Sequence, residues 1–241
     1  MPMTNEHEEA PWKAGLQSAR AMLGPGLVFV SIAVVTVLAY YYHPGTREAL
    51  GRLAEFRQRG GYVFSALSFM VFGGVVPFLF LRLNPRTAPL HPWSQLIFFG
   101  LFWAWKGAEV DLLYQVQASV FGADSSWPTV VKKMLADQLI YNPLYAAPVG
   151  VLLYAWKDAG FGWAKPLADW RAGRWYARRV LPVMFAVWGV WVPTVCCVYA
   201  LPLPLQLPLA TMMNCLWAIL FSFLTLSQNH RASADLGSNE P

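Results

Sequence analysis

The sequence predicts an all-α fold: a polytopic transmembrane helix bundle of about six membrane helices plus one amphipathic surface helix. Three observations carry that expectation. Hydrophobic residues make up 56% of the 241 residues and charged ones only 13%, where an ordinary globular domain has roughly 45–50% and about 25%. The apolar residues gather into runs near the roughly 20 residues a helix needs to cross a hydrocarbon core about 30 Å thick. Twelve Trp, fifteen Phe and ten Tyr supply the aromatic bulk that collects where helices meet lipid headgroups.

The first run, Gly24 to Tyr42, closes on Tyr40, Tyr41 and Tyr42 and then His43-Pro44-Gly45. Ahead of it Glu6, Glu8 and Glu9 outnumber Lys13 and Arg20. That balance matches neither an Arg-rich, acid-poor presequence nor a signal peptide with a basic start, so the run is expected to remain as an anchor. Residues 46–59 carry Leu50, Leu53 and Phe56 on one side and Arg47, Arg52, Arg57 and Arg59 elsewhere, the pattern of an amphipathic helix lying on a membrane surface. Gly60-Gly61 is expected to end it.

The second run, Tyr62 to Leu81, holds Gly73-Gly74, which permit close helix packing. After a short loop from Asn84 to His91, the third helix is expected over Trp93 to Phe121. Its second half carries Lys106, Glu109, Asp111, Gln115 and Gln117. A fourth helix, about Thr129 to Trp156, bears Lys132, Lys133, Asp137, Gln138 and Asn142. Residues 157–179 form the longest polar loop. The fifth run, Val180 to Ala200, contains Pro182 and Pro193; the sixth runs from Leu205 to Leu226, and a polar tail follows from Ser227. Three segments result: 1–61, with the tail, first span and amphipathic helix; 62–226, the main bundle; and 227–241. Loop Lys and Arg counts favour one side by eleven to six, which puts both termini in the cytoplasm by the positive-inside rule.

A charge at mid-bilayer costs roughly 2.5–3.5 kcal/mol on insertion scales, so such groups face the bundle interior or water. Lys106 and Glu109 are three apart and share a helical face. Asp111 lies about 140° around from Lys106 at 100° per residue, so it is expected to meet another helix. Lys133 and Asp137 are four apart, with Gln138 and Asn142 on the neighbouring stripe. Together with Tyr114 and Gln115 these residues form a polar seam of mixed sign. It reads either as the wall of a water-filled path or as glue between helices.

No catalytic constellation accompanies the seam. His7, His43, His91 and His230 lie in tails, loops or termini, which argues against a haem held between facing helices. No H-E-x-x-H, G-x-S-x-G, Walker loop or G-x-G-x-x-G occurs, and Cys196, Cys197 and Cys215 have no metal-ligand spacing. No enzyme activity, cofactor, metal site or nucleic-acid partner is therefore expected. The net charge of +5 has its largest cluster in one inter-helix loop, as suits anionic lipid.

The run Lys132-Lys133-Met134-Leu135-Ala136-Asp137-Gln138-Leu139-Ile140-Tyr141-Asn142-Pro143 resembles the K-K-M-x-x-D-Q-x-x-x-x-P signature of the Mpv-seventeen and peroxisomal membrane protein family. Gly107 to Tyr114 is similar to that family's G-P-x-x-H-x-W-Y segment, with Ala108, Asp111 and Leu113 in place of the proline, histidine and tryptophan. Trp188, Trp191 and Pro193 resemble its tryptophan- and proline-rich helix, and Trp217 to Ser222 its closing W-N-x-Y-L-S, with Ala218 at a usually polar position. The family's arginine appears here as Gln206, and its fifth-segment glutamine and Asn-Phe pair have no clear counterpart near Cys196 and Tyr199-Ala200. The resemblance covers residues 62–226 and makes the first 61 residues an addition.

What the resemblance implies is a small membrane protein forming a pore for small solutes, which the mixed signs of the seam would make weakly selective. The alternative is a non-catalytic structural or assembly protein whose polar seam holds the helices together. The implied partners are the lipid bilayer and a small-solute cargo, and a homo-oligomer is compatible with either reading. The bacterial cytoplasmic membrane is the expected site, with a mitochondrial inner or peroxisomal membrane as the alternative.

Overall fold

The structure is a computed structural model that describes residues 23–85 and 87–219. The acidic start and the polar tail discussed above lie outside those residues. Every regular element among the described residues is a helix, and no strand occurs there. In chain order they are α1 (Leu23–Tyr42), α2 (Pro44–Ser68), a π-helical turn (Phe69–Val75), α3 (Val76–Leu83), a 3-10 turn (Ala88–Leu90), α4 (Gln95–Phe121) and α5 (Trp127–Ala136). A second π-helical segment (Asp137–Ala146), α6 (Ala147–Asp158), α7 (Ala164–Arg171), a third π turn (Tyr176–Val180) and α8 (Leu181–Tyr199) follow. The last element is α9 (Leu203–Ile219). Among the described residues the chain divides into two compact units, one built from residues 23–30 with Val131–Cys196, the other from Ser31–Val130 with residues 197–219.

The count of membrane-length helices corrects the expectation of six. Among the described residues, two helices are long and apolar enough to span a bilayer, Pro44–Leu83 at 40 residues and Trp127–Asp158 at 32. A third joins them if Tyr176–Phe185 and Val187–Tyr199, bent by 52°, make one broken span. The physical reasons differ by helix. The apolar stretches Gly26–Tyr42 and Leu203–Ile219 are shorter than spanning length, and the expected continuation of the last to Leu226 lies outside the described residues. Helix α4 is long, 27 residues or about 40 Å at 1.5 Å per residue, but Lys106, Glu109 and Asp111 interrupt its apolar character.

Local chemistry explains several boundaries. Between α1 and α2, His43 is extended (φ −115°, ψ 110°) and its Nδ1 accepts the Thr46 backbone N–H, with Pro44 in the first turn, where a missing N–H costs nothing. Arg47 reaches back to the last carbonyls of α1, Nε to Tyr40 O at 3.2 Å and Nη2 to Tyr41 O at 2.6 Å, a favourable cation at a helix C-terminus. The expected stop at Gly60-Gly61 falls where two helices meet at a kink. Gly61 takes φ +50°, a left-handed value that glycine adopts at little cost, and the helix resumes beyond it to Ser68. The expected surface helix is therefore the first half of a longer broken rod.

In the Ser31–Val130 unit, α2 and its π turn pack along α4. Small residues set that approach. A Cβ on Gly74 would stand 2.6 Å from the Phe99 carbonyl oxygen, and one on Gly107 would run into the Ser65 carbonyl and the Phe69 side chain. Contact of this kind drives helix association where lipid removes the hydrophobic incentive. Phe69, Phe78, Phe99 and Tyr114 fill the buried space beside it. In the other unit, Phe29 packs edge-on against Trp191 at 5.8 Å, and Met184 and Val190 are buried.

Candidate functional site

Asp111 is the most enclosed acidic group of the seam, with 0% side-chain exposure against 10% for its partner Arg57. Arg57 Nη2 donates to Asp111 Oδ1, and Ser65 Oγ donates to Oδ2. From its own helix, Gln115 Nε2 donates to Oδ1 at 3.0 Å. The carboxylate thus receives three donors from two helices. A charge taken from water into a packed interior is tolerated when it is paired and its lone pairs are filled. This cluster joins α2 to α4 on both sides of the Gly61 break.

Lys106 and Glu109 form an ion pair one turn earlier on α4, their side chains 11% and 12% exposed. The Lys106 ammonium also lies 5.5 Å from the centre of the Trp105 ring. Tyr114 is buried, with its ring edge-on to Tyr199 at 5.4 Å. The three-residue and four-residue spacings on α4 therefore place Lys106 with Glu109 and Asp111 with Gln115. Gln117, also buried, has no hydrogen-bond partner on either amide atom among the described residues.

The other predicted residues, Lys133, Asp137, Gln138 and Asn142, belong to the Val131–Cys196 unit. Lys133 is fully buried and Asp137 and Gln138 nearly so, while Asn142 is half-buried and sets its amide 3.4 Å from Gln138 Oε1. Asp137 opens the π-helical segment, in which each N–H bonds to the carbonyl five residues back; Ala147 N–H to Asn142 O shows that register. Pro143, five residues after Gln138, has no N–H to give. The Gln138 carbonyl is met instead by Trp188 Nε1 at 3.1 Å. Tyr176 Oη donates to the Pro143 carbonyl at 2.9 Å.

Comparison with known proteins finds no counterpart. No family model, curated protein or solved structure matches the chain. The likeness to the Mpv-seventeen and peroxisomal membrane protein family rests on the quoted residues alone.

Two participants escaped the sequence reading. Arg57 counts there as a surface arginine, yet it is four residues from Leu53, only about 40° around the helix at 100° per residue. Its place on the apolar stripe was the available signal. Ser65 had none, being one hydroxyl within an apolar run. The polar residues Asp124, Ser126 and Thr129 order the turn into α5. Ser126 N–H donates to Asp124 Oδ1 at 2.9 Å and Thr129 Oγ1 to Oδ2 at 3.1 Å. Hydrogen bonds from the Ser126 side chain and backbone hold the Asp124 carboxyl below its usual range.

Proposed function

We propose that this chain is a non-catalytic integral membrane protein whose buried polar residues hold its helices together. One observation carries the reading: the usual distribution of polar and apolar residues is inverted. Ile97, Leu101 and Leu144 are 70%, 67% and 73% exposed, whereas Lys133 and Asp111 are at 0%. Soluble domains almost never bury such charges while exposing so many large apolar side chains. In lipid the arrangement is the expected one, since apolar side chains meet hydrocarbon and charges turn inward to partners. Asp111, enclosed and supplied with three donors, suits a clasp better than a channel wall, where water would share the carboxylate.

A second reading, a weakly selective solute pore, is supported by Lys133, Asp137 and Gln138. They are buried on a π-helical segment, a departure that often marks functional positions, and they carry the residues of the family resemblance. The mixed signs would make such a pore weakly selective.

Purified protein reconstituted in planar bilayers separates the two. The clasp reading expects no conductance and a loss of thermal stability in Asp111→Asn. Steady conductance whose ion preference shifts in Asp137→Asn would replace it with the pore reading. Recovery of intact protein from cells without detergent would overturn the membrane assignment common to both.

A further inference from the structure

We propose that a cavity where α6, α7 and the start of α8 meet binds an anionic phospholipid, phosphate at Lys165 and first acyl carbons against Val151 and Val183. The proposal rests on the membrane reading. The cavity measures about 470 Å³, within the usual range of small-molecule pockets, about 300–1,000 Å³. Its apolar lining includes Val151 from α6 and Val183 from α8, together with Tyr154 and Trp175. Lys165 and Arg179, both exposed, also line it.

The position along the helices fits a lipid. The candidate span Trp127–Asp158 ends at the cavity, and the bent pair beginning at Tyr176 starts there. Val151 lies seven residues back from Asp158, about 10 Å deeper at 1.5 Å per residue. With the end of α6 and Lys165 at headgroup level, Val151 would lie at the level of the first methylenes. Trp163 and Trp170, 43% and 58% exposed, bracket Lys165 in sequence in the manner of an interfacial aromatic belt.

Charge selects the headgroup. Asp169 is neutralised by Arg179 Nε at 2.8 Å and Arg178 at 3.3 Å, and Asp158 pairs with Lys157. Lys165 is exposed and has no hydrogen-bond or ion-pair partner among the described residues. Four cations against two carboxylates leave this corner at +2, and the uncommitted charge is the Lys165 ammonium. A phosphodiester oxygen would pair with it. Inorganic phosphate could use the same ammonium but would leave the apolar side chains of Val151 and Val183 without a partner, which favours the lipid.

Native mass spectrometry of the detergent-purified full chain, loaded with equal phosphatidylglycerol and phosphatidylcholine, tests this. Wild type should retain the anionic lipid preferentially. Lys165→Ala should cut that preference by about fivefold, the usual effect of one cation near an anionic surface, and Lys165→Arg should keep it. Arg171→Ala, an exposed cation outside the cavity lining, should change nothing. Millimolar inorganic phosphate should fail to displace the lipid. Equal retention of both lipids, equal loss in Arg171→Ala, or displacement by inorganic phosphate would each overturn the site in a protein that still needs detergent. A chain soluble without detergent would instead overturn the membrane reading beneath it.

Discussion

Removing Asp111 gives the sharpest test of the clasp between α2 and α4. Asp111→Ala strands Arg57, whose side chain is 10% exposed, and takes an acceptor from Ser65 and Gln115. Breaking a buried pair by deleting one partner costs about 3–5 kcal/mol, because the remaining charge stays uncompensated. Ordinary interhelical hydrogen bonds in membranes average only about 0.6 kcal/mol, so the two cases are well separated. The double variant Arg57→Met with Asp111→Leu removes both charges and should regain most of the loss, as buried pairs replaced by apolar groups often do. Unfolding of the purified protein in mixed micelles, followed by helical circular dichroism, would measure these two variants and the Arg57→Met and Asp111→Leu single variants. The internal control is Arg52 with Glu48, 78% and 69% exposed, whose disruption should cost less than about 1 kcal/mol. A loss below about 1 kcal/mol for Asp111→Ala, or additive single and double variants, would refute the argument by showing that the carboxylate is solvated.

Other outcomes follow from the same contacts. Gly74→Ala would put a Cβ 2.6 Å from the Phe99 carbonyl, a backbone atom with little room to yield, and should destabilise by about 1–3 kcal/mol; an unchanged melting temperature would show that α4 is not so close. Trp188→Phe leaves the Gln138 carbonyl unmet and should cost about 1–3 kcal/mol. The same change should cost less in a Pro143→Ala background, where residue 143 can donate to that carbonyl itself, and an equal cost in both backgrounds would reject the π-register explanation. The depressed Asp124 carboxyl contributes stability that is present above its unfolded pKa and lost as pH falls through the lower folded value. Acid unfolding should therefore show a shallower limb in Asp124→Asn, and identical limbs would remove this carboxyl from the turn into α5.

The sequence made the helical class plain because long apolar runs with few charges leave a backbone little choice in lipid or in a dry core. It was less informative about how one helix leads into the next. Counting apolar runs separates the amphipathic stretch from the run Tyr62 to Leu81 at the right place. It does not show that the two helices follow one another through a kink at Gly61, at positive φ, to make the 40-residue stretch Pro44–Leu83. That geometry depends on one backbone torsion, which hydropathy does not register. The same counting joined Val180 to Ala200 across a 52° bend.

Polar residues were legible in proportion to how local their partners are. Lys106 with Glu109 is a three-residue spacing on one helix, and spacing alone suffices. Asp111 reaches Arg57, 54 residues away, and no pattern within either helix names that partner. Arg57 could still have been suspected, since a charge in line with Leu53 must either snorkel to water or find a carboxylate. Gln138 and Pro143 lie between these extremes. Their separation of five is visible in the sequence, but it becomes meaningful only when the helix is π-helical and the N–H missing from Pro143 is the one owed to the Gln138 carbonyl. Read that way, the D-Q-x-x-x-x-P spacing encodes a hydrogen-bond vacancy, and Trp188, 50 residues from Gln138, is the side chain that fills it.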